Sequence, residues 1–240
     1  MLKRRLFLLL AVLLPLLGFA QAKSVPYFSQ IGGTSKLDAD WTVYNVNGDE
    51  KTWINDASSS SNYSSITAVK VTAGAKYVYN TKADANDWLV SPAIHLEADK
   101  EYKVSFYVKT SGSYKESLRL AVANANSAED MATKSETLLD FPELTEKTFV
   151  KKSVVYVARE SGDYYFGLYE YSKKDLYNVF VTAFSVAENI TTPAPVTGLT
   201  ATEGANEAIT VDLKWTLPTK DEDGKDLTTP LTGVEVYRDG

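Results

Sequence analysis

A strict alternation of apolar and polar side chains over residues 101–109 constrains the fold more than any other feature of the chain. One face of this segment carries Tyr102, Val104, Phe106 and Val108, whereas the other carries mainly polar side chains. Side chains two residues apart point to the same face of a β-strand. The segment is therefore predicted to be a strand with one face buried and the other in water.

Similar segments recur along the chain and are separated by glycine, asparagine, aspartate and serine. Further strands are predicted at 25–28, 41–44, 53–54, 68–71, 76–79, 118–122, 149–158, 164–171 and 178–187. A capping box at Ser127–Asp130 predicts one short helix. Many short strands with little helix indicate an all-β fold, and the alternation indicates antiparallel sheets packed as a β-sandwich.

The N-terminus has the three parts of a secretory signal peptide. A basic segment at 3–5 precedes an apolar run over 6–17, and Ala20–Ala22 is a small-residue cleavage motif. The alternative, a membrane anchor, needs about 20 apolar residues, which is more than this run provides. We therefore predict that residues 1–22 are removed, that no membrane insertion remains, and that the protein is secreted or held at the cell surface.

Charge and composition exclude several functions. Three of the 25 basic residues go with the signal peptide, which leaves 22 against 31 acidic residues and a net charge of −9. Such a surface repels nucleic acid and anionic lipid, so neither is an expected partner. The chain has no cysteine, which excludes disulfides, zinc–thiolate sites and a cysteine nucleophile.

A change of pattern marks a boundary near residue 190. Residues 191–195 contain two prolines, which stiffen a connection. Beyond them, strands are predicted at 196–201, 209–215 and 234–238. The predicted parts of the mature chain are a first domain over 23–188, a linker over 189–195 and a second, incomplete domain over 196–240.

Four groups of motifs in the first domain occur in a characteristic order. They are Trp41–Val43 with Asn47–Asp49 and Trp53; Asn86–Ile94; Tyr102–Phe106; and Gly162–Leu168 with Phe184–Val186. Together they resemble the cleaved-adhesin, or choice-of-anchor, jelly-roll family of bacterial surface proteins and of secreted proteases such as gingipains. The resemblance implies an antiparallel jelly-roll sandwich in which Trp41 and Trp88 are core residues.

Related jelly rolls often contain a structural calcium ion, and the chain departs from the family pattern where acids are usual. Ser29 stands where many members have an acid after the first-strand phenylalanine. Thr182 and Ala183 stand in place of two aspartates near the end of the domain. These departures weaken the expectation of calcium.

The second domain resembles the start of a fibronectin type III module, which is an immunoglobulin-like sandwich. Pro195–Ala201 is similar to its first strand, Trp215 takes the position of the second-strand tryptophan, and Val234–Gly240 is similar to its third strand and turn. A full module has seven strands in about 100 residues. The resemblance therefore implies a fragment that exposes strand edges and apolar surface.

One turn carries oxygen side chains at alternate positions. Asn45, Asn47 and Asp49 have the spacing seen in calcium-binding loops. The same segment contains Asn47-Gly48, a strong signal for a hairpin that needs no ion. Both interpretations stay open: a hairpin that joins two strands, or a structural calcium site to which Asp38, Asp40, Asp84 and Asp87 contribute.

Two groups of aromatic residues are candidates for ligand binding, because glycan-binding sandwiches stack sugar rings on exposed aromatic side chains. The first group is Tyr169, Tyr171 and Tyr177, around the loop at 172–175, and the second is Trp53, Tyr77 and Tyr79. The alternative is that they are ordinary strand residues, because β-sheets are enriched in aromatic residues without any ligand.

The sequence contains no recognisable catalytic motif. His95 is the only histidine, and the sequence indicates no oriented partner for it. Nucleophile-elbow, zinc-protease and phosphate-loop motifs do not occur. We therefore predict a non-catalytic adhesion or binding module for a glycan or an extracellular protein. The alternatives are an accessory module of a secreted hydrolase or protease, and a structural spacer.

Overall fold

The computed structural model of the protein describes residues 21–57, 63–190, 192–204, 211–222, 224, 226, 227, 231 and 233–236. The basic segment and the apolar run of the predicted signal peptide lie outside these residues. The described chain divides into two compact units, one that ends at Ala187 and one that begins at Glu188. None of the helices among the described residues is long and apolar enough to cross a membrane.

The first unit is built almost entirely from strands. They are β1 (Tyr27–Ser29), β2 (Thr42–Asn45), β3 (Trp53–Asp56), β4 (Gly74–Tyr77), β5 (Asp87–Val90), β6 (Ile94–Leu96), β7 (Glu101–Thr110), β8 (Glu116–Ala123), β9 (Glu136–Leu144), β10 (Val150–Val157), β11 (Gly162–Glu170) and β12 (Val179–Glu188). Helix α1 spans Ala128–Thr133.

These strands form two sheets that pack face to face. The first sheet has the order β10-β7-β12-β4-β3, with β1 also paired to β12. The second has the order β2-β5-β11-β8-β9, with β6 also paired to β11. Neighbours such as β5 and β11, or β7 and β10, are antiparallel. The predicted all-β antiparallel sandwich is confirmed.

The main core lies between the sheets. Tyr102, Val104, Phe106 and Val108 are all at most 2% exposed, as the alternation in this segment predicts. The second sheet contributes residues such as Leu118, Leu120, Phe166 and Leu168, which are fully buried. The two-residue period therefore directs the apolar face of each sheet towards the other.

The predicted hairpin between β2 and β3 is wrong, although the turn itself is present. Gly48 has a φ of 66°, which suits glycine at a tight turn. However, β2 pairs with β5 in the second sheet, whereas β3 pairs with β4 in the first. The turn crosses between the sheets because Trp53, at the start of β3, packs against Tyr77 in the first sheet.

Two further strand predictions differ from the structure. Residues 68–71 form a loop, not a strand, and Val71 packs with Tyr63 and Ile66 against Ala183 on the outer face of the first sheet. Strand β9 was not predicted, because Glu136–Leu144 lacks a clear alternation of apolar and polar residues.

A second apolar cluster covers the outer face of the second sheet. Trp88 and Met131 are its large buried members, and Met131 belongs to α1. Gly167 permits this packing, because a Cβ there would lie 2.4 Å from Met131 Cε and 2.7 Å from Trp88 Cε3. The predicted capping box holds α1 in place, since Ser127 Oγ accepts a hydrogen bond from Asp130 N at 3.0 Å. Trp88 is thus buried, but outside the main core.

The second unit contains an antiparallel pair, β13 (Thr197–Glu203) and β14 (Val211–Thr216). Leu199, Val211 and Leu213 are exposed on it. A strand is predicted at 234–238; residues 234–236 of this segment are described, and they do not form a strand. A fibronectin type III module remains a prediction.

Replacement of Trp88 by alanine should lower the free energy of unfolding by about 3–5 kcal/mol, because it removes a buried ring and leaves a cavity. Unfolding in urea, followed by far-ultraviolet circular dichroism, measures the change. Ile54→Ala is the control: its side chain is 42% exposed, so we expect a much smaller loss. A similar stability for Trp88→Ala and wild type would contradict the structural role of Trp88.

Candidate functional site

Four loops meet at one end of the sandwich, here called the loop end. They are the connections β2–β3 (46–52), β4–β5 (78–86), β7–β8 (111–115) and β11–β12 (171–178). Backbone hydrogen bonds tie them together: Val46 N to Asn86 O, Ala85 N to Ser172 O, Ser111 N to Asn178 O and Asp175 N to Asn80 O, all 2.8–3.0 Å. The loops therefore form one ordered surface.

Three tyrosines from three of these loops form a stack at the loop end, here called the tyrosine stack. Tyr177 stacks on both of the other rings. Its centroid is 5.2 Å from that of Tyr79, with 21° between the planes, and 6.2 Å from that of Tyr114, with 22°. Gly112, with a φ of 80°, turns the β7–β8 loop so that Tyr114 reaches this position.

The tyrosine stack is available to solvent. Tyr114 is 47% exposed and Tyr177 is 39% exposed. The hydroxyl groups of Tyr79, Tyr114 and Tyr177 have no hydrogen-bond partner among the described residues. The stack thus offers exposed ring surface and three free hydroxyl groups.

An open cleft of about 570 Å³ adjoins the stack, and Tyr79 lines it. The other lining side chains are mostly polar and include Asp49, Lys51, Asn80 and Lys82. Tyr79 therefore connects an aromatic surface to a set of hydrogen-bonding groups, and this combination is the candidate site.

Tyr114 was missed in the sequence because it does not lie in an alternating segment. Its only signal is its position two residues after Gly112 in a loop. Tyr79 and Tyr177 were predicted in separate groups, and the structure brings them together.

Tyr169 lies on the outer face of the second sheet, and Tyr171 directly follows the same strand; both belong to a different ring stack from Tyr177. Tyr169 is stacked between Trp88, at 4.5 Å, and Tyr171, at 5.6 Å. Arg119 lies 5.2 Å from the Tyr171 ring. Their hydroxyl groups donate to Asn86 Oδ1 at 3.0 Å and to Asp140 Oδ1 at 2.5 Å. Their ring faces and hydroxyls are thus already occupied by protein contacts.

Trp53 and Tyr77 do not form an exposed platform, which corrects the prediction for this pair. They are 2% and 1% exposed, and their rings meet edge to face at 5.8 Å in the core. Tyr79 follows β4 and reaches the surface because the strand ends at Tyr77.

The turn predicted to bind calcium is held together by hydrogen bonds. The Asp49 carboxylate accepts from Lys51 N at 2.7 Å and from the side chains of Asn47 and Asn80 at 3.0 Å. Asn45 Nδ2 donates to Asp49 O at 2.5 Å. Among the described residues, no group of three or more histidines or acids is placed to hold a metal ion. Calcium at this turn therefore stays a prediction.

Ser29 and Thr182 stand where the family pattern has acids, and their hydroxyl groups form hydrogen bonds within the protein. Thr182 Oγ1 donates to Ala73 O at 2.7 Å, and Ser29 Oγ accepts from Ile31 N at 2.9 Å and from Trp41 Nε1 at 3.2 Å. Both residues are buried. At both places the hydroxyl group thus has partners within the protein.

Three carboxyl groups are fully buried near the loop end, and we call them the carboxyl layer: Asp87, Glu116 and Glu170. Among the described residues, one carboxyl oxygen of Glu116 and one of Glu170 have no hydrogen-bond partner. The sequence contains a signal for two of them, because Glu116 and Glu170 lie two residues from Leu118 and Leu168 and so face the same side as these core residues.

Burial dominates the electrostatics of the carboxyl layer. It raises the pKa of Asp87 to about 6 and raises the pKa of Glu116. Burial, followed by the charge of Glu116, raises the pKa of Glu170 well above its usual range, although Ser172 donates to it. Burial thus makes the charged form of each carboxyl group less favourable in the folded protein than in water.

His95 has a partner that the sequence did not indicate. Its Nδ1 lies 2.9 Å from Asp163 Oδ1, because the two residues are opposite each other in the β6–β11 pair. Both side chains are about half exposed. The pair is a cross-strand contact on the surface.

The first unit is therefore a jelly-roll β-sandwich with an ordered loop end. The chain is similar to the K1 cleaved adhesin domain of Lys-gingipain from Porphyromonas gingivalis W83, at 14% identity and a TM-score of 0.52 over 68% of this chain and 98% of that one. It is also similar to the K2 cleaved adhesin domain of Lys-gingipain, at 13% identity and a TM-score of 0.51 over the same shares. No protein-family model and no curated protein matches. The similarity shows the fold.

Stability should fall as the pH rises through the range in which Asp87 ionises. The pKa of Asp87 is about 6 in the folded chain and 3.8 ordinarily, so its stabilising effect is complete below about pH 4 and is lost as the pH approaches and passes 6. The loss amounts to about 3 kcal/mol.

Asp87→Asn should remove this part of the pH dependence, as measured by urea unfolding at pH values on either side of the range. Glu129→Gln, an exposed change, should keep the wild-type profile. An unchanged slope in Asp87→Asn would contradict the prediction.

If calcium binds the turn at Asn45, Asn47 and Asp49, it should raise the thermal midpoint. A ligand at about 100 times its Kd stabilises the folded state by about 2.7 kcal/mol. Thermal melts with calcium, and then with a chelator, test this, and Asp49→Asn should abolish the shift. An unchanged midpoint in the wild type would rule out a structural calcium ion.

Proposed function

We propose that this protein is an exported, non-catalytic binding module that recognises a glycan at the loop end. Export is supported by the signal-peptide pattern of residues 1–22. The observation that carries the binding proposal is the tyrosine stack: exposed rings with free hydroxyl groups beside a polar cleft.

The chemistry of the loop end suits a sugar. The apolar faces of sugar rings stack on aromatic side chains, and their hydroxyl groups need both donors and acceptors. The rings of the stack provide the first. Lys51 and Lys82 in the cleft provide donors, and the free tyrosine hydroxyl groups provide both donors and acceptors. Binding sites of this kind are typical of loops held on a rigid scaffold.

The tyrosine stack is a better candidate than the aromatic row that contains Tyr169 and Tyr171. In that row the rings stack on each other and on Arg119, and the hydroxyls already donate to protein atoms. A ligand there would have to displace these contacts. At the tyrosine stack it would gain new ones.

A glycan array with the mature protein, with and without calcium, tests the proposal. For a glycan that binds, Tyr177→Ala and Tyr114→Ala should each weaken the affinity about tenfold or more, in the range of an aromatic hot spot. Isothermal titration calorimetry measures the affinity.

Phe28→Ala is the matched control, because Phe28 is an aromatic residue, 50% exposed, on β1 rather than at the loop end. It should bind as the wild type does. Absence of any binding on the array would contradict the glycan proposal and favour an extracellular protein as partner. Equal losses in the control and in the stack variants would place the site elsewhere.

A further inference from the structure

The tyrosine stack brings three phenol groups from three separate loops into contact. The centroid of the Tyr177 ring is 5.2 Å from that of Tyr79 and 6.2 Å from that of Tyr114, and both pairs are within about 20° of parallel. Tyr177 is far from Tyr79 and from Tyr114 in the sequence, so these contacts exist only in the folded chain. A covalent bond between two of the rings would therefore join segments that the fold has already placed together.

Hydrogen bonds of the backbone hold the loops of the stack in place. Tyr177 N donates to Glu116 Oε1 at 2.6 Å. The next residue, Asn178, receives Tyr79 N on its side chain at 3.4 Å and Ser111 N on its carbonyl oxygen at 3.0 Å. Each of the other two loops is thus bonded to the backbone or side chain directly beside Tyr177.

The rings themselves are less restricted than the backbone that carries them. Tyr114 is 47% exposed and Tyr177 is 39% exposed. The three hydroxyl groups are not bonded to any other described residue. Each ring can therefore turn about its side-chain bonds while it stays beside its neighbour, and an oxidant in solution has access to it.

Stacked, accessible phenols have a characteristic oxidative chemistry. A tyrosine that gives up one electron and its phenolic proton becomes a neutral phenoxyl radical, whose unpaired electron is shared with the ring carbons next to the C–O carbon. Two such radicals join at these carbons, and each ring then transfers the hydrogen of the new carbon–carbon bond to its oxygen, which restores two phenols. The two electrons and two protons lost overall reduce one hydrogen peroxide to two molecules of water.

We propose that the tyrosine stack is an oxidative cross-linking site, at which Tyr177 forms a dityrosine bond with Tyr79 or Tyr114 when hydrogen peroxide and a haem peroxidase act on the protein. The chain has no cysteine, so disulfides cannot link its loops covalently, and this bond supplies such a link. The proposal does not rest on glycan binding, because it needs only the position and the access of the rings.

Other tyrosine pairs of the first unit are less suited to this reaction. Tyr169 and Tyr171 are stacked at 5.6 Å, but both hydroxyl groups donate to protein atoms, and Trp88 covers Tyr169. Their rings cannot turn towards each other without breaking these contacts. Tyr156 and Tyr164 meet edge to face at 5.8 Å and are 9% and 3% exposed, so an oxidant has little access to them. The cross-link is therefore expected at the tyrosine stack.

Treatment of the mature protein with hydrogen peroxide and a haem peroxidase, at low protein concentration, tests the proposal. Size-exclusion chromatography isolates the monomer, and dityrosine fluorescence measures the yield of the cross-link within one chain. Mass spectrometry of tryptic peptides should identify joined peptides that are lighter than their sum by two hydrogen atoms, with the bond between Tyr177 and Tyr79 or Tyr114.

Phenylalanine variants make the result specific. Tyr177→Phe keeps the ring in the stack but has no phenolic proton to lose, so the cross-link should be lost. The double variant Tyr79→Phe with Tyr114→Phe removes both partners of Tyr177, should have the same effect, and serves if Tyr177→Phe does not fold. Tyr169→Phe, in the other stack, should keep the wild-type yield.

Several results would overturn the proposal. They are a wild-type monomer without dityrosine, a cross-link in Tyr177→Phe equal to that of the wild type, and a cross-link mainly between Tyr169 and Tyr171. Dityrosine found only between molecules would also overturn it, because the stack joins loops of one chain. An array without glycan hits would contradict the proposed function and leave this experiment unaffected.

The cross-linked monomer should also have a higher thermal midpoint than the untreated protein. A bond between Tyr79 and Tyr177 closes a loop of about 100 residues, which lowers the entropy of the unfolded chain. Tyr177→Phe, treated in the same way, should show no such rise. An equal change of the midpoint in both proteins would assign it to oxidation elsewhere and would contradict the covalent link between the loops.

Discussion

The loop end depends on one constraint, the two-residue period of the strands in the second sheet. Leu118 and Leu168 face the core, so Glu116 and Glu170, two residues away on the same strands, face it as well. The sheet thus carries carboxyl groups into the interior where the loops begin. There they accept hydrogen bonds from backbone N–H groups of the 171–178 loop, so buried side chains of the sheet help to order the surface loop.

The same period buries the outer face of the second sheet and gives it a structural role. The side chains that alternate with the core residues of β5 and β11 include Trp88 and Tyr169, and they pack with Met131 of α1. Gly167 leaves the space for this packing. Since that face is filled by contacts within the chain, the exposed aromatic surface of this half of the sandwich is concentrated at the loop end.

The sequence was sufficient to predict structural features that depend on alternation and on local turns. It was insufficient to predict features that depend on which strands pair. The core positions of β7, the capping box and the turn at Gly48 are local features and were predicted correctly. The assignment of β2 and β3 to different sheets depends on contacts with distant strands. The tyrosine stack is of the same kind, because Tyr79, Tyr114 and Tyr177 come from loops that only the folded sandwich brings together.

The order of the loop end matters for the affinity of any ligand it binds. A side chain that must be immobilised on binding costs about 0.5–1.5 kcal/mol. Tyr177 is already held by stacking on Tyr79 and Tyr114 and by its backbone hydrogen bond to Glu116, so little of this cost remains. The affinity therefore depends on the buried acceptor as well as on the exposed ring.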